Sequence, residues 1–454
     1  MKIVIVGAGE VGYHIASRLA FENKDVVVID KNPDAVRRIA ETIDVQTLIG
    51  SGSNPSVLEE AGIKEAEILL AVTNSDEANL VACLSANLLS PGTKKLARIR
   101  DAGFDQYYDT FRDQAPHIET VINPEIEVVK TIQRLMHVPG AVDVGEFADG
   151  RIKFVGIHLD HNTPLAGVRL IELPELLDDR RILIAAIVRE EEVIIPSGGD
   201  RLQPRDLIYF ICEDNQLLDT LSVFDKHAEP VKRVMIIGGG RIGYRLAVQL
   251  EQQSIYCKII EKQADRCAEL AERLNKTIVL HGDGSDQGLL NEENIGEMDV
   301  VVTLTKDEET NILSSLLARR LGADKAITRI SKFSYFPLMT TIGIEQVVSP
   351  RLSAINTILQ HIRRGKVLSA ISLKGEQAEV LEALALETSD IVAKPLKKIA
   401  FPKGAIVAGI IRGEGIIIPT GDSVIEPEDH IIIFAKRSAI ARIEKILSVK
   451  LEYF

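Results

Sequence analysis

The chain has 454 residues, of which 46% are hydrophobic and 26% charged, and its formal net charge is −13. This length suits two to four globular domains, and the acidic balance argues against nucleic acid as a partner because neutralising its many phosphates needs clustered Lys and Arg. The four cysteines show no CxxC spacing, and no apolar run approaches the length of a membrane span. We therefore expect a cytoplasmic protein with no direct membrane insertion and no metal site.

The N-terminal part of the chain alternates apolar runs with stretches of helical period. The apolar runs lie at 2–6, 26–29, 45–49, 68–72 and 96–99. Such alternation is typical of βαβ units, which build a parallel sheet buried on both faces. Ser75 is placed to cap a helix that extends to about Leu89, and Pro33 and Pro124 lie near first-turn positions of helices.

The segment after Pro124 predicts a helix from Glu125 to about His137 with an apolar stripe. Its apolar residues are Ile126, Val129, Ile132, Leu135 and Met136. Because this helix follows the last strand of a finished sheet, we expect its stripe to pack on another part of the protein.

A strand-rich pattern begins after Pro139. Strands are predicted at 152–159, 182–189, 193–195 and 206–212. The turn at 196–199 has a counterpart at 419–422, and Asp206 has a counterpart in Asp429. The small unit is therefore duplicated, and the charged segment 225–230 is a candidate linker between the halves.

A glycine-rich loop occurs at corresponding positions of both halves. The first loop, 7–12, follows an apolar run, and Asp30 closes the next run; the second loop, 238–243, has Glu261 in the same relation. A GxGxxG loop between a strand and a helix, followed by an acid at the end of the second strand, is typical of dinucleotide binding. The glycines permit the turn, the approach of a pyrophosphate to the backbone, and close packing of helix on strand.

The acidic residues indicate which dinucleotide would bind. Asp30 and Glu261 are placed to accept both hydroxyls of an adenosine ribose, and a carboxylate there repels a ribose phosphate. The sequence therefore favours NAD or NADH over the phosphorylated cofactor.

Polar residues follow the fourth and fifth predicted strands of each half. Thr73, Asn74 and Arg98 in the first half correspond to Thr305, Lys306 and Arg329 in the second. The carboxyl ends of parallel strands face the binding crevice, so these groups are candidate ligand contacts. For the arginines, pairing with a nearby acid is the structural alternative. Ser51 and Asp283, in the loops after the third strands, are candidates on the adenine side.

The duplicated motifs together resemble those of the TrkA family, the regulatory subunits of Trk potassium-uptake systems. The first half carries KIVIVGAGEVG, AVTNSDEANLVAC and ARIR, and the second carries VMIIGGGRIG, TLTKDEETNI and TRI. The resemblance implies an α/β fold of two tandem Rossmann-like doubly wound parallel sheets, each followed by a small α+β subdomain. The expected domains are 1–138 and 231–352 for the Rossmann-like units, and 139–225 and 366–454 for the small ones.

The resemblance also implies a non-enzymatic sensor that binds NAD or NADH, and in some relatives ATP or ADP. It implies a homotetramer on the inner face of the cell membrane, regulating an integral potassium-translocating subunit of the TrkH or TrkG type. We predict no catalytic residues and the following cofactor contacts: Gly7, Ala8, Gly9, Glu10, Val11, Gly12, Asp30, Ser51, Thr73, Asn74, Arg98, Gly238, Gly239, Gly240, Arg241, Ile242, Gly243, Glu261, Asp283, Thr305, Lys306 and Arg329.

An NAD-dependent dehydrogenase is the alternative function. Such an enzyme needs a substrate domain that supplies a proton donor and a substrate anchor near the nicotinamide. The candidate substrate domains here are two small units that resemble each other, which favours a sensing or pairing role.

Overall fold

The computed structural model describes residues 1–161, 163–177, 182–190, 192–227, 230–362, 367–373 and 377–447. In this part of the chain, two six-stranded parallel sheets alternate with two five-stranded antiparallel sheets. The expected fold class of two Rossmann-like sheets, each followed by a small domain, is thereby confirmed. The domain boundaries stay predictions, and the candidate linker at 225–230 lies partly outside the described residues.

The first parallel sheet has the strand order β3-β2-β1-β4-β5-β6. Its strands are β1 (Lys2–Val6), β2 (Asp25–Asp30), β3 (Gln46–Ile49), β4 (Ile68–Ala71), β5 (Lys94–Arg98) and β6 (Ile118–Ile122). The helices between and after them are α1 (Glu10–Phe21), α2 (Pro33–Thr42), α3 (Pro55–Glu60), α4 (Asp76–Leu89), α5 (Tyr108–Asp113) and α6 (Pro124–His137). The order reverses between β1 and β4, which opens a crevice at the carboxyl ends of these strands.

The helix starts follow from local chemistry. Ser75 caps α4 by accepting a 3.1 Å hydrogen bond from the amide of Ala78, as the sequence predicts. Pro33 and Pro124 are the first residues of α2 and α6, where the missing amide hydrogen has no cost.

The small domain after α6 is a five-stranded antiparallel sheet in the order β10-β9-β11-β8-β7. Its elements are β7 (Ala141–Phe147), β8 (Ile152–His158), α7 (Leu173–Leu176), β9 (Leu183–Arg189), β10 (Glu192–Ile194), β11 (Leu207–Glu213) and α8 (Leu217–Val223). Four of the strands were predictable, but β7 contains Asp143 and Glu146 and lacks a clear apolar run. The buried Asp206 receives a two-pronged ion pair from Arg189, which explains why this acid recurs in the duplicated turn.

The second parallel sheet repeats the first, with the order β14-β13-β12-β15-β16-β17. Its strands are β12 (Arg233–Ile237), β13 (Tyr256–Glu261), β14 (Ile278–His281), β15 (Val300–Thr303), β16 (Lys325–Arg329) and β17 (Gln346–Val348). Its helices are α9 (Arg241–Gln252), α10 (Ala264–Arg273), α11 (Gln287–Glu292), α12 (Glu308–Arg320), α13 (Phe336–Thr341) and α14 (Pro350–Ile362).

The last small domain completes the repeat, with the order β18-β19-β22-β20-β21. It contains β18 (Val367–Leu373), β19 (Ala378–Leu384), β20 (Ala405–Arg412), β21 (Gly415–Ile417), β22 (His430–Lys436) and α15 (Arg437–Leu447). Arg412 binds Asp429 with two hydrogen bonds, as Arg189 binds Asp206. The two small sheets share one apolar core, in which the ring of Phe154 stacks on the ring of Phe434.

Each parallel sheet is completed by a helix from the other half of the sequence. The chain forms two compact units, one of Met1–Glu127 with Pro350–Arg363 and one of the remainder. In the second unit, Val128, Ile132 and Met136 of α6 belong to the core around β12, β13 and β15. In the first unit, α14 packs against α1 and β6. The prediction that α6 packs away from its own sheet is therefore confirmed.

Candidate functional site

The first glycine-rich loop needs two of its glycines for its own backbone. Gly7 has φ +116°, and a Cβ on it would lie 2.9 Å from the amide nitrogen of Thr73. A Cβ on Gly12 would lie 1.8 Å from the carbonyl oxygen of Gly7, so the closest constraint on Gly12 is the loop itself. Nothing lies within 4 Å of a Cβ on Gly9. The space beside Gly9 is therefore the part of the loop that is open to a ligand.

The second loop repeats this division. Gly238 has φ +109°, a Cβ on Gly243 would lie 2.2 Å from the Gly238 carbonyl oxygen, and nothing lies within 4 Å of a Cβ on Gly240. The two loops differ at their second residue, which is Ala8 in the first loop and Gly239 in the second. A Cβ on Gly239 would lie 2.4 Å from Cδ1 of Leu270, so a side chain at this position would require that leucine to shift.

The helices that follow the loops begin without a side-chain cap. Gly9 and Gly240 are the residues before α1 and α9, and neither helix receives a side-chain cap hydrogen bond. The first amides of a helix need acceptors from outside it, and the helix dipole favours an anion there. Both loops are therefore suited to bind a phosphate group.

Asp30 and Glu261, the predicted ligands of the ribose hydroxyls, are hydrogen-bonded to the glycine-rich loops. Oδ2 of Asp30 accepts a 2.6 Å hydrogen bond from the amide of Ala8, and Oδ1 accepts one of 2.8 Å from Asn32. The carboxylate of Glu261 likewise accepts a 2.8 Å hydrogen bond from the amide of Gly239 and one of 2.9 Å from the amide of Gln263. A carboxylate has about four acceptor positions, so each acid retains capacity for ligand hydroxyls while it fixes the loop.

A buried asparagine links the ends of β4 and β5. Oδ1 of Asn79 accepts from the amide and the hydroxyl of Thr73, at 2.9 and 2.7 Å, and Nδ2 donates to the carbonyl of Arg98 at 2.8 Å. Arg98 in turn donates to the carbonyl of Thr73 at 2.7 Å and to Oδ1 of Asn74 at 2.9 Å. The three predicted residues thus lie together, and Asn79, which the sequence analysis did not select, organises them.

The second half has the same network around Asn311. Its Oδ1 accepts from the amide and hydroxyl of Thr305, at 2.9 and 2.8 Å, and its Nδ2 donates to the carbonyl of Arg329 at 3.1 Å. Nη1 of Arg329 lies 3.2 Å from the carbonyl oxygen of Thr305. Lys306 is exposed at the position of Asn74. The repeated spacing of these asparagines in the two motifs is the signal that could have identified them.

The two copies differ on the predicted adenine side. The hydroxyl oxygen of Ser51 accepts a long 3.4 Å hydrogen bond from the amide of Ser53. Asp283 instead accepts hydrogen bonds from Lys262 at 2.9 Å and from the hydroxyl of Ser285 at 2.7 Å. The Lys262 bond is the largest cause that lowers the pKa of Asp283 to about 2. The ion pair between Lys262 and Asp283 therefore connects the residue after β13 to the loop after β14.

The remaining loop residues also differ in charge. Glu10 accepts a 2.7 Å hydrogen bond from Arg38, which lowers the pKa of this carboxyl, whereas Arg241 stands at its place in the second loop. Val11 and Ile242 are buried in the starts of α1 and α9. Since their side chains are buried, the groups that Val11 and Ile242 can offer a ligand are their backbone amides.

Among the residues that the structure describes, no cluster of three or more His, Cys, Asp or Glu side chains could hold a metal ion. No helix in that part of the chain has the length and apolar character needed to cross a membrane.

The fold and the paired loops define a class of protein with two Rossmann-like units in tandem, each followed by a small antiparallel domain. Family models match in the same alternation: the TrkA-N domain at residues 3–124 and 234–350, and the TrkA-C domain at 154–225 and 380–448. The chain belongs to the TrkA family of Trk system potassium uptake proteins.

Full-length relatives support this assignment. Trk system potassium uptake protein TrkA of Azorhizobium caulinodans is 37% identical over 459 residues, which cover 100% of both chains. TrkA homolog 2 of Methanosarcina mazei is 38% identical over 454 residues, covering 98% of this chain and 100% of the relative.

Solved structures show the same fold. The GsuK RCK domain aligns with a TM-score of 0.61 at 17% identity, covering 98% of this chain and 94% of that one. The GsuK channel bound to NAD gives a TM-score of 0.61 at 18% identity, covering 98% and 78%.

Proposed function

We propose that this chain is the nucleotide-sensing regulatory subunit of a Trk-type potassium uptake system. It binds NAD or NADH, and ATP or ADP as competing adenine nucleotides, at the two glycine-rich loops. It acts on the cytoplasmic face of the membrane as a homotetramer and gates a potassium-translocating subunit of the TrkH or TrkG type. It works by binding and not by catalysis.

One observation carries the nucleotide part of this proposal. In each half, an open glycine, a helix start without a side-chain cap and a strand-end carboxylate lie at one loop. The loop amides suit a pyrophosphate, and the carboxylate suits ribose hydroxyls. The NAD in the related GsuK channel supports the same ligand class here.

Binding is tested by calorimetric titration of the full chain with NAD, NADH, ATP and ADP. Asp30→Ala should weaken binding at the first loop, since each lost hydrogen bond to a charged group is worth about 1.5–3 kcal/mol. Glu261→Ala is the matched change at the second loop. Equal affinity of both variants and the wild type for every nucleotide would contradict the assignment of the sites.

Regulation is tested by potassium uptake in cells that depend on this chain and its Trk membrane subunit. Asp30→Ala should alter the uptake rate, because the nucleotide-bound state is depopulated. A coupling of about 1–3 kcal/mol between nucleotide and gate corresponds to a change of roughly 5- to 150-fold in the gating equilibrium. Loss of binding with unchanged uptake would refute the sensor.

A further inference from the structure

Three charged side chains meet beside the first glycine-rich loop. Glu10 is the first residue of α1, and its Oε1 accepts a 2.7 Å hydrogen bond from Nη1 of Arg38. Nη1 of Arg351 lies 3.8 Å from the other carboxylate oxygen. The guanidinium of Arg38 lies 4.2 Å from the ring centre of Tyr13, which helps to fix its position. One carboxylate therefore holds two guanidinium groups at the start of the helix.

The two arginines come from distant parts of the sequence. Arg38 lies in α2, within the first half, whereas Arg351 is the second residue of α14. The chain reaches α14 only after the last strand of the second parallel sheet, but the helix lies in the compact unit of the first sheet. The first loop is thus next to a charge that the second half of the sequence supplies.

When no phosphate is bound, the carboxylate of Glu10 has a favourable electrostatic position. When a phosphate binds at the same helix start, that position becomes unfavourable. A carboxylate in the first helical turn interacts well with the helix dipole, and at this place it also attracts Arg38 and Arg351. A pyrophosphate at the same helix start would repel Glu10. Guanidinium groups bind phosphate oxygens with charge-assisted, often two-pronged hydrogen bonds, so the ligand would compete with Glu10 for both arginines.

We propose that Arg38 and Arg351 are phosphate ligands of the first site and that Glu10 holds both of them until a nucleotide binds. This inference rests on the proposed function. The incoming pyrophosphate displaces Glu10 and binds the two guanidinium groups, which attaches the start of α14 to the ligand. Occupancy of the first site is thereby passed to a helix that the second half of the chain provides.

The second loop offers an internal comparison. The residue that corresponds to Glu10 is Arg241, so the second loop has no carboxylate that a phosphate could replace at this place. The proposed exchange of partners therefore belongs to the first site alone.

The test is a titration of the full chain with NADH, with Glu261→Ala present throughout to weaken the second site. Arg351→Gln should lower the affinity by roughly 10- to 150-fold, the effect of one lost charge-assisted contact. Glu10→Gln should raise it by about two- to fivefold, because the competing acceptor is weakened. His361→Gln is the control, since it changes the last turn of the same helix, roughly 15 Å away, and should leave the affinity unchanged.

Amide hydrogen exchange of α14 gives the second readout. NADH should slow exchange at the start of α14 in the parent protein and in Glu10→Gln, but not in Arg351→Gln. Arg351→Lys, which keeps the charge without the two-pronged geometry, should fall between Arg351→Gln and the parent, and circular dichroism checks that every variant is folded.

Two results would overturn the proposal. One is an Arg351→Gln protein that binds NADH as tightly as its parent; the other is undiminished slowing of exchange in α14 of that variant. Absence of nucleotide binding by the wild type would instead overturn the proposed function and this inference together. The two failures are thus distinguishable.

Discussion

Replacing Asn79 by alanine tests whether one buried amide holds the ends of β4 and β5 in place. The side chain is fully buried and makes hydrogen bonds to the amide, hydroxyl and carbonyl of Thr73 and to the carbonyl of Arg98. Alanine would leave the half-buried amide of Thr73 and the buried carbonyl of Arg98 without these partners, at roughly 1–3 kcal/mol each. We therefore expect a loss of about 3 kcal/mol in the free energy of unfolding of the first unit.

Calorimetric unfolding measures this loss. For a unit of this size, 1 kcal/mol corresponds to about 2–4 °C, so the transition of the first unit should fall by roughly 6–12 °C. Asn311→Ala is the matched control, because Asn311 makes the same hydrogen bonds in the second copy and should lower the transition of the other unit.

If the thermal transitions of the two units overlap, amide hydrogen exchange measures the local effect of Asn79→Ala directly. The amide of Thr73 should exchange faster in Asn79→Ala than in the wild type, and nucleotide binding at the first loop should weaken as Thr73 and Arg98 lose their positions. An Asn79→Ala protein that melts within about 1 °C of the wild type and protects this amide equally would refute the reasoning.

Three further variants follow from the same geometry. Gly12→Ala should prevent the first unit from folding, because the new Cβ would lie 1.8 Å from the Gly7 carbonyl oxygen, whereas Gly9→Ala, with nothing within 4 Å, should fold normally. Gly9→Ala should nevertheless bind nucleotide more weakly, and circular dichroism with titration separates the two outcomes. The pKa of Asp283 is lowered from 3.8 to about 2, so its interactions stabilise the fold above about pH 4 and are lost as the pH falls towards 2. An NMR titration of Lys262→Met should show this pKa rising towards its ordinary value; an unchanged pKa would contradict the assigned cause.

The strands and helix starts of the Rossmann-like units could be predicted because local signals determine them. Apolar runs mark strands that are buried on both faces, and a residue such as Ser75 caps its helix through contacts a few positions away. The glycine loops belong to this group as well, since the positive φ of Gly7, which favours glycine, is a property of the loop itself.

Other features depend on residues that are distant in sequence. The role of Asn79 arises only when β5 lies beside β4, and within one half nothing in its helical surroundings indicates it. The available signal is the recurrence of an asparagine, Asn311, at the corresponding position of the second half. The stripe on α6 predicts that the helix packs on another part of the protein, but it does not indicate which part. Glu10 was predicted as a loop contact for the ligand, and its two arginine partners come from α2 and α14, which no spacing in the sequence connects to it.

The exchange of helices between the halves has a consequence for synthesis of the chain. Ala354, Ile355 and Ile358 of α14 are buried in the finished protein, but they leave the ribosome long after Glu127, where the first unit is interrupted. At about 5–20 residues per second, this interval lasts roughly 10 to 45 s. During that time the surface of α1 and β6 that α14 covers is exposed to water, and slower translation lengthens this exposure.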